Sequence, residues 1–340
     1  MTNIKDIAQD CGVGVSTVSR VLNDHPDVSD ATRAKVMEAV ERLRYIPNNS
    51  ARNLVRTTSD SIALLIRGVN NPFFSKLVKV IEREVAQRGY TLELHHMDSC
   101  DDELRAAAMR ITERKLRGIL FLGGRFNYAP EDLAFISVPF VMCTYTNTFG
   151  TLSESAYSSI AIDDKRAAEE AVATLIALGH QRIALLCDDE HDTSISELRT
   201  EGYKNALRAH GAAFDPALVV QAGSFSDMGA IHRAVTEFID TGAAFTAMFA
   251  IADIMAIAAI KALSDRGRRV PEDCSIIAID GLELSAYTLP TLTTLVQPVV
   301  EIGRECAHTL VDLIEGRGQN RHVLFSTRLR TGGSVLPLPG

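Results

Sequence analysis

Residues 3–23 read NIKDIAQDCGVGVSTVSRVLN, and their spacing decides how the fold begins. Ile4, Ile7, Ala8 and Cys11 recur at i, i+3, i+4 and i+7, one apolar face of a helix that Asn3 can cap, with Asp6 reaching back toward that cap. Gly12 stops this helix. After Val13-Gly14 a second one begins, with Val15, Val18, Val21 and Leu22 as its apolar positions. The small Ala8 lets the helices approach and Gly12 supplies the turn, which is helix-turn-helix spacing. The outer face of the second helix presents Val15, Ser16, Thr17, Ser19, Arg20 and Asn23. Short hydrogen-bonding groups with one cation suit base edges and phosphates in a major groove. An ordinary helical hairpin with a polar face is the plain alternative.

Working outward, Ser29 caps a third helix running to about residue 44, with Val36, Val40 and Leu43 facing the first two. The stretch YIPNNSARNLVR (45–56) starts helix-like behind Pro47 but is too short to be stable alone in water. It is either a plain linker or a hinge helix, about 48–56, that folds on DNA beside a partner chain. In the second case Ala51 permits close contact and Leu54 is an apolar wedge for a minor-groove step.

From residue 61 the pattern changes to aliphatic runs alternating with amphipathic helices. Strands are expected at 61–66, 91–95, 118–123, 139–144, 182–187, 218–221, 247–251, 275–280 and 292–296. The helices between them are punctuated: Asn71-Pro72 opens one that Arg88-Gly89 closes, another runs from Asp164 to Gly179, and a third from Asp253 to Gly267. Such alternation gives a doubly wound α/β architecture with ligands at the carboxyl ends of the strands. The strands exceed one comfortable sheet, so two lobes with parallel sheets facing a cleft are expected. The chain thus divides into an all-α helix-turn-helix headpiece, 1–58, and an α/β two-lobed core, 59–340.

The formal net charge of −8 over 340 residues argues, taken whole, against a nucleic-acid binder. Residues 1–58, however, hold eight Lys or Arg and seven Asp or Glu, a net of +1, and the remainder carries −9. The acidic balance belongs to the core. The six cysteines have no CxxC or finger spacing and read as reduced thiols of a cytoplasmic protein. Lys5, Asp6 and Asp10 interrupt any signal peptide, and no uninterrupted apolar stretch is long enough to span a membrane. The phosphate loop, dinucleotide fingerprint and nucleophile elbow are absent, which leaves a nucleotide-binding α/β enzyme as an alternative without a motif. His95-His96 point to opposite faces of a strand, and the acidic run at Cys187–Asp192 reads as a solvated loop, so neither metal nor cofactor is expected.

IKDIA, GVGVSTVSRVLN, YIPNNSARNL, NNPFF, ALGHQRIALL, RTEGY, RRVPEDCSIIAIDG and LPTLTTLVQP stand in this order along essentially the whole chain. In them the sequence resembles the lac repressor family of bacterial transcription regulators. The resemblance implies a periplasmic-binding-protein-like core that closes around a small effector, a sugar or sugar derivative, and a homodimer on a palindromic operator. A nucleobase or protein corepressor is the alternative within the family. It also implies effector contacts at Phe73, Phe74, Arg199, Phe225, Asp253 and Asp280. The guanidinium suits hydroxyl pairs and the carboxylates accept from hydroxyls; a surface Arg at a helix start, a turn Asp and core Phe residues are the rival readings. Two departures stand out. Gly14 replaces the family's usual capping Ser, and Ala252 replaces a frequent Asn, which weakens transfer of any particular sugar. The final TGGSVLPLPG carries no heptads of a tetramerising tail, which favours a dimer.

Overall fold

The computed structural model describes residues 4–22, 25, 27–43, 60–68, 71–97, 102–188, 194–223 and 227–338, and the chain divides into two compact units, Met1–Ser59 and Asp60–Gly340. The first unit holds α1 (Ile4–Cys11), α2 (Val15–Leu22) and α3 (Asp30–Arg42). Ile7, Ala8, Cys11, Val18, Val21, Val36 and Ala39 bury one another, with Val40 and Leu43 half-buried at the edge. Gly12, at φ +61, ends α1 in the left-handed conformation that glycine adopts at little cost, and Val13 N–H closes the turn on the Ala8 carbonyl. Ser29 caps α3 by accepting from Thr32 N–H, and Arg42 pairs with Asp10 of α1. The expected cap at Asn3 and the 48–56 segment lie outside the described residues.

The second unit contains two six-stranded sheets. The first is ordered β11-β5-β4-β3-β1-β2 from β1 (Ser61–Arg67), β2 (Thr91–Met97), β3 (Gly118–Leu122), β4 (Phe140–Cys143), β5 (Ser158–Ile162) and β11 (His322–Phe325). The second is ordered β12-β10-β9-β8-β6-β7 from β6 (Ile183–Cys187), β7 (Val219–Gln221), β8 (Ala247–Ala250), β9 (Ser275–Asp280), β10 (Thr293–Val296) and β12 (Arg328–Arg330). Neighbours are parallel except β10 with β12. Central strands such as β3, β6 and β9 are buried at every residue, as helices on both faces require. Those helices are α4 (Pro72–Gln87), α5 (Glu103–Arg114), α6 (Asp164–Ala177), α7 (Ile195–Ala209), α8 (Met228–Asp240), α9 (Asp253–Asp265) and α10 (Val299–Ile314). Asn71 caps α4 by accepting from Phe73 N–H at 3.0 Å, with Pro72 at the first helical position. No described helix is long and apolar enough to cross a membrane.

The sequence reading omits β5, β11 and β12. SSIAI opens with two serines, and the last two strands are short, alternately exposed and set at sheet edges, so none carries the aliphatic run that marks a central strand. These strands place the chain crossings between lobes: from β5 into α6, from β10 into α10, and from β11 to β12.

At Gly14 the carbonyl accepts from Thr17 and Val18 N–H, yet among the described residues no side chain accepts from the first turn of α2. An added Cβ would meet Ser16 Oγ at 3.5 Å, an ordinary contact. Gly14→Ser is therefore expected to add about 0.3 kcal/mol to α2, read as slower amide exchange there. Faster exchange would show that the turn needs the glycine backbone itself.

Candidate functional site

The parallel strands of the second sheet end in a buried acidic cluster. Asp280 closes β9 at φ +138, a region that L-residues rarely occupy, and the strain is held in place by its surroundings. Gly281 follows at φ +74, where a Cβ would stand 2.7 Å from the Val296 backbone, so the turn admits only glycine. Asp280 Oδ1 accepts from Gln297 Nε2 at 2.9 Å and lies 3.6 Å from Arg199 Nη1.

Arg199, on the second turn of α7, is only 2% exposed. Its Nε and Nη2 donate to Asp164 Oδ1 at 2.8 and 2.7 Å, and Nη1 donates to the Ile251 carbonyl beyond β8. The reading of Arg199 as a surface residue is thereby set aside. Gly202 makes this reach possible. A Cβ there would fall 2.2 Å from the Lys165 carbonyl and 2.8 Å from Ala168 Cβ, so the glycine lets α7 lie directly on α6 and brings Arg199 to Asp164. Asp163 accepts from Arg166 N–H as the cap of α6, which leaves Asp164 for the guanidinium.

Burial opposes the Arg199 charge, but Asp164 and Asp280 outweigh it and hold its proton more firmly than usual. Asp280 sits on the other side of that balance. Burial raises its carboxyl, Arg199 pulls it down, Asp253 repels it, and the outcome is a group pushed up to about 7.

Asp253 opens α9 with no exposure at all. Its oxygens accept from Leu282 N–H at 2.7 Å, from Ser285 Oγ at 2.7 Å and from Thr294 Oγ1, and Arg330 of β12 donates to Ser285 and the Leu282 carbonyl. The carboxylate expected at a ligand thus braces the loop after Asp280. Ala252, at the start of the same helix, is buried and caps nothing with its side chain.

Two of the three expected aromatics part company. Phe73 turns into the core at 5% exposure, whereas half-buried Phe74 places its ring near Gly123 at the end of β3. Phe225 lies outside the described residues, as do Asn23, Ala51 and Leu54. On α2, Val15, Ser16 and Arg20 are exposed and Thr17 and Ser19 half-buried. Among the described residues no cluster of His, Cys, Asp and Glu could hold a metal. Asp164 and Gln297 are additions to the site that the sequence reading missed. Their only signals were the doubled acid at a helix start and a Gln at the end of a strand.

A model described as bacterial regulatory proteins, lacI family, matches residues 3–48, and one of a periplasmic binding protein-like domain matches residues 172–335. The HTH-type transcriptional regulator MalR of Clostridium butyricum is 38% identical over 332 residues, covering 96% of this chain and 97% of that protein. The HTH-type transcriptional repressor CytR of Escherichia coli (strain K12) is 32% identical over 328 residues, covering 96% and 92%. Among solved structures, the lac repressor dimer bound to operator and the anti-inducer ONPF matches with a TM-score of 0.78 at 25% identity, covering 98% of this chain and 99% of that one. The transcriptional regulator CelR–cellobiose complex matches with a TM-score of 0.71 at 28% identity, covering 98% and 100%.

The raised Asp280 carboxyl has a consequence for stability. The folded chain binds this proton more tightly than the unfolded chain, whose Asp titrates near ~3.9. Its stabilising contribution is therefore full below that value and is lost as pH rises through about 7. Relative to Asp280→Asn, the wild-type melting temperature should fall between mildly acidic and mildly alkaline pH by more than about 3 °C, the shift of ~1 kcal/mol in a domain of this size. Parallel profiles would contradict the assignment.

Proposed function

The chain belongs to the lacI family of bacterial regulatory proteins and is a DNA-binding transcriptional regulator, and from that premise we propose that it is a cytoplasmic repressor controlled by a small polyhydroxylated effector, a sugar or sugar derivative, held at Asp280. The observation that carries this is Asp280 itself: a strained, buried carboxylate at the carboxyl end of a central strand, tied through Arg199 to one lobe crossing and through Gln297 to another. Backbone strain of this kind collects at ligand sites. Hydroxyl donors suit the carboxylate, and the Phe74 ring offers an apolar face to C–H groups. The cellobiose in the CelR complex supports an effector of this class.

Bound ligand shifts the two lobes about their crossings. That shift alters the spacing of the two 48–56 segments in a dimer, and a coupling of about 1–3 kcal/mol suffices for a switch. On DNA, Val15, Ser16, Thr17, Ser19, Arg20 and Asn23 read a half-site, while Ala51 and Leu54 enter the minor groove. With a net of only +1 on residues 1–58, specific affinity needs both arms of a homodimer. The surface supplies a face for it. Between β9 and β10, Leu284, Tyr287 and Leu289 are 53%, 78% and 94% exposed. Leu289 also lines a hollow of about 340 Å³ with Ile260, Val270 and Pro290. The rest of that hollow is polar, with Ser264, Arg268, Arg269 and Glu272 in its lining, and large apolar side chains exposed together on one loop above it mark an interface.

Leu54→Ala is expected to weaken operator binding about tenfold while leaving effector titrations as they were, and wild-type affinity should fall steeply with salt. Unchanged operator affinity would remove the wedge. Separately, Tyr287→Asp with Leu289→Asp should convert the dimer to monomers in sedimentation velocity. An intact dimer would place the interface elsewhere.

A further inference from the structure

The first lobe contains a second buried polar cluster that the reading above does not use. Glu103, 1% exposed, opens α5. Its Oε1 accepts from the Tyr128 hydroxyl and from the Arg125 backbone N–H at 3.2 Å, and the guanidinium nitrogens Arg125 Nε and Arg67 Nη1 stand 3.8 Å away as ion pairs, Arg125 Nε and the nearby Tyr145 hydroxyl being buried without a hydrogen-bond acceptor among the described residues. Its Oε2 is buried as deeply and meets no donor among the described residues. A buried acceptor left without a partner is costly, and native structures keep such groups where something else supplies the donor.

The position supplies a reason. Arg67 ends β1, Arg125 follows Gly123-Gly124 at the end of β3, and Tyr145 follows β4, so the cluster stands at the carboxyl ends of parallel strands, as Asp280 does in the other sheet. Ile195 and Leu198 of α7 pack against the aromatic group that includes Phe126, Tyr128 and Tyr145, and the next residue of α7 is Arg199. The cluster is also held firmly. Asn147 clasps the Tyr128 backbone through Oδ1 at 2.7 Å and Nδ2 at 3.0 Å, and a Cβ on Gly124 would run 2.6 Å from the Tyr145 ring. Burial and the adjacent Glu103 push the Tyr128 hydroxyl well up, so it remains a donor to Oε1 and leaves Oε2 for another group. The charges close without a ligand: Arg67 and Arg125 face Glu103, and Arg125 also approaches Asp102 at 3.9 Å.

We infer that Glu103 sets the chemical class of the effector by accepting a hydroxyl hydrogen bond on Oε2, which selects an uncharged polyol over a phosphorylated or carboxylated one. An anionic group brought here would meet Glu103 in the first lobe and Asp280 in the second, where the guanidiniums of Arg67, Arg125 and Arg199 are already engaged by those carboxylates. The inference rests on the proposal that the effector sits at Asp280.

The test is calorimetric titration of the full-length chain with glucose, ribose and cellobiose beside glucose phosphate, ribose phosphate and glucuronate. Wild type should bind a neutral sugar at least about a hundredfold more tightly than its anionic counterpart. Glu103→Gln should weaken the neutral sugar about tenfold and narrow the neutral-to-anionic ratio by a similar factor. An anionic form bound as tightly by the wild type, or no neutral sugar bound at all, would overturn the class. A ratio unchanged in Glu103→Gln would overturn the role of Glu103. The wild-type comparison stands by itself if that variant fails to fold. Asp280→Asn separates the two readings: full affinity in that variant would refute the Asp280 site, whereas its loss alongside an unaffected Glu103→Gln would refute only the present inference.

Discussion

The second unit depends on one buried guanidinium. Arg199 joins the first residue of α6, the backbone beyond β8 and the last residue of β9, and it does so from a helix that lies on α6 only because Gly202 has no side chain. A buried charge is tolerated when its donors are matched, and removing one partner leaves an uncompensated charge whose cost is large, of the order of 3–5 kcal/mol. The tie is therefore weak evidence for stability and strong evidence for a specified arrangement. What it specifies is the setting of Asp280, strained in its backbone and raised in its carboxyl, at the point where ligands of open α/β sheets collect.

Asp280 is joined to two of the three crossings between lobes. Asp164 opens the helix one residue beyond β5, and Gln297 directly after β10 donates to the Asp280 carboxylate through its side chain and to its carbonyl through its backbone. A ligand that changes the partners of Asp280 thus acts on the segments about which the lobes move. Sub-ångström changes at such a site become discrete rearrangements because packed elements do not deform continuously. On the proposed reading, these contacts are a concrete route by which an effector at Asp280 acts on both lobes.

Much of this was legible in the sequence because it rests on short-range patterns. The headpiece follows from apolar spacing over residues 4–22 and from Gly12; the helix start at Asn71 and the stop at Gly267 follow from cap chemistry. Arg199 and Asp280 were identified by family resemblance, and the structure brings them together. What could not be read depends on three-dimensional register. Whether Phe73 or Phe74 turned inward was undecidable from adjacent identical residues at a helix start. Asp253 carried the right chemistry for a ligand, but its oxygens are taken by Leu282, Ser285 and Thr294, which lie 29, 32 and 41 residues away along the chain. Asp164, Gln297 and Glu103 gain meaning only from partners across the fold, and the edge strands β11 and β12 are ordered by their neighbours rather than by their own composition.

The central claim is that Asp280 communicates with the lobe crossings through its side-chain partners, and Gln297 is the partner whose removal leaves no charge unpaired. The direct measurement is fluorescence anisotropy of labelled operator, titrated with wild type and with Gln297→Leu, in the absence and in the presence of saturating effector. The account predicts that Gln297→Leu still binds the effector but loses most of the change in operator affinity that the effector causes in the wild type. A variant that retains the full change would contradict it.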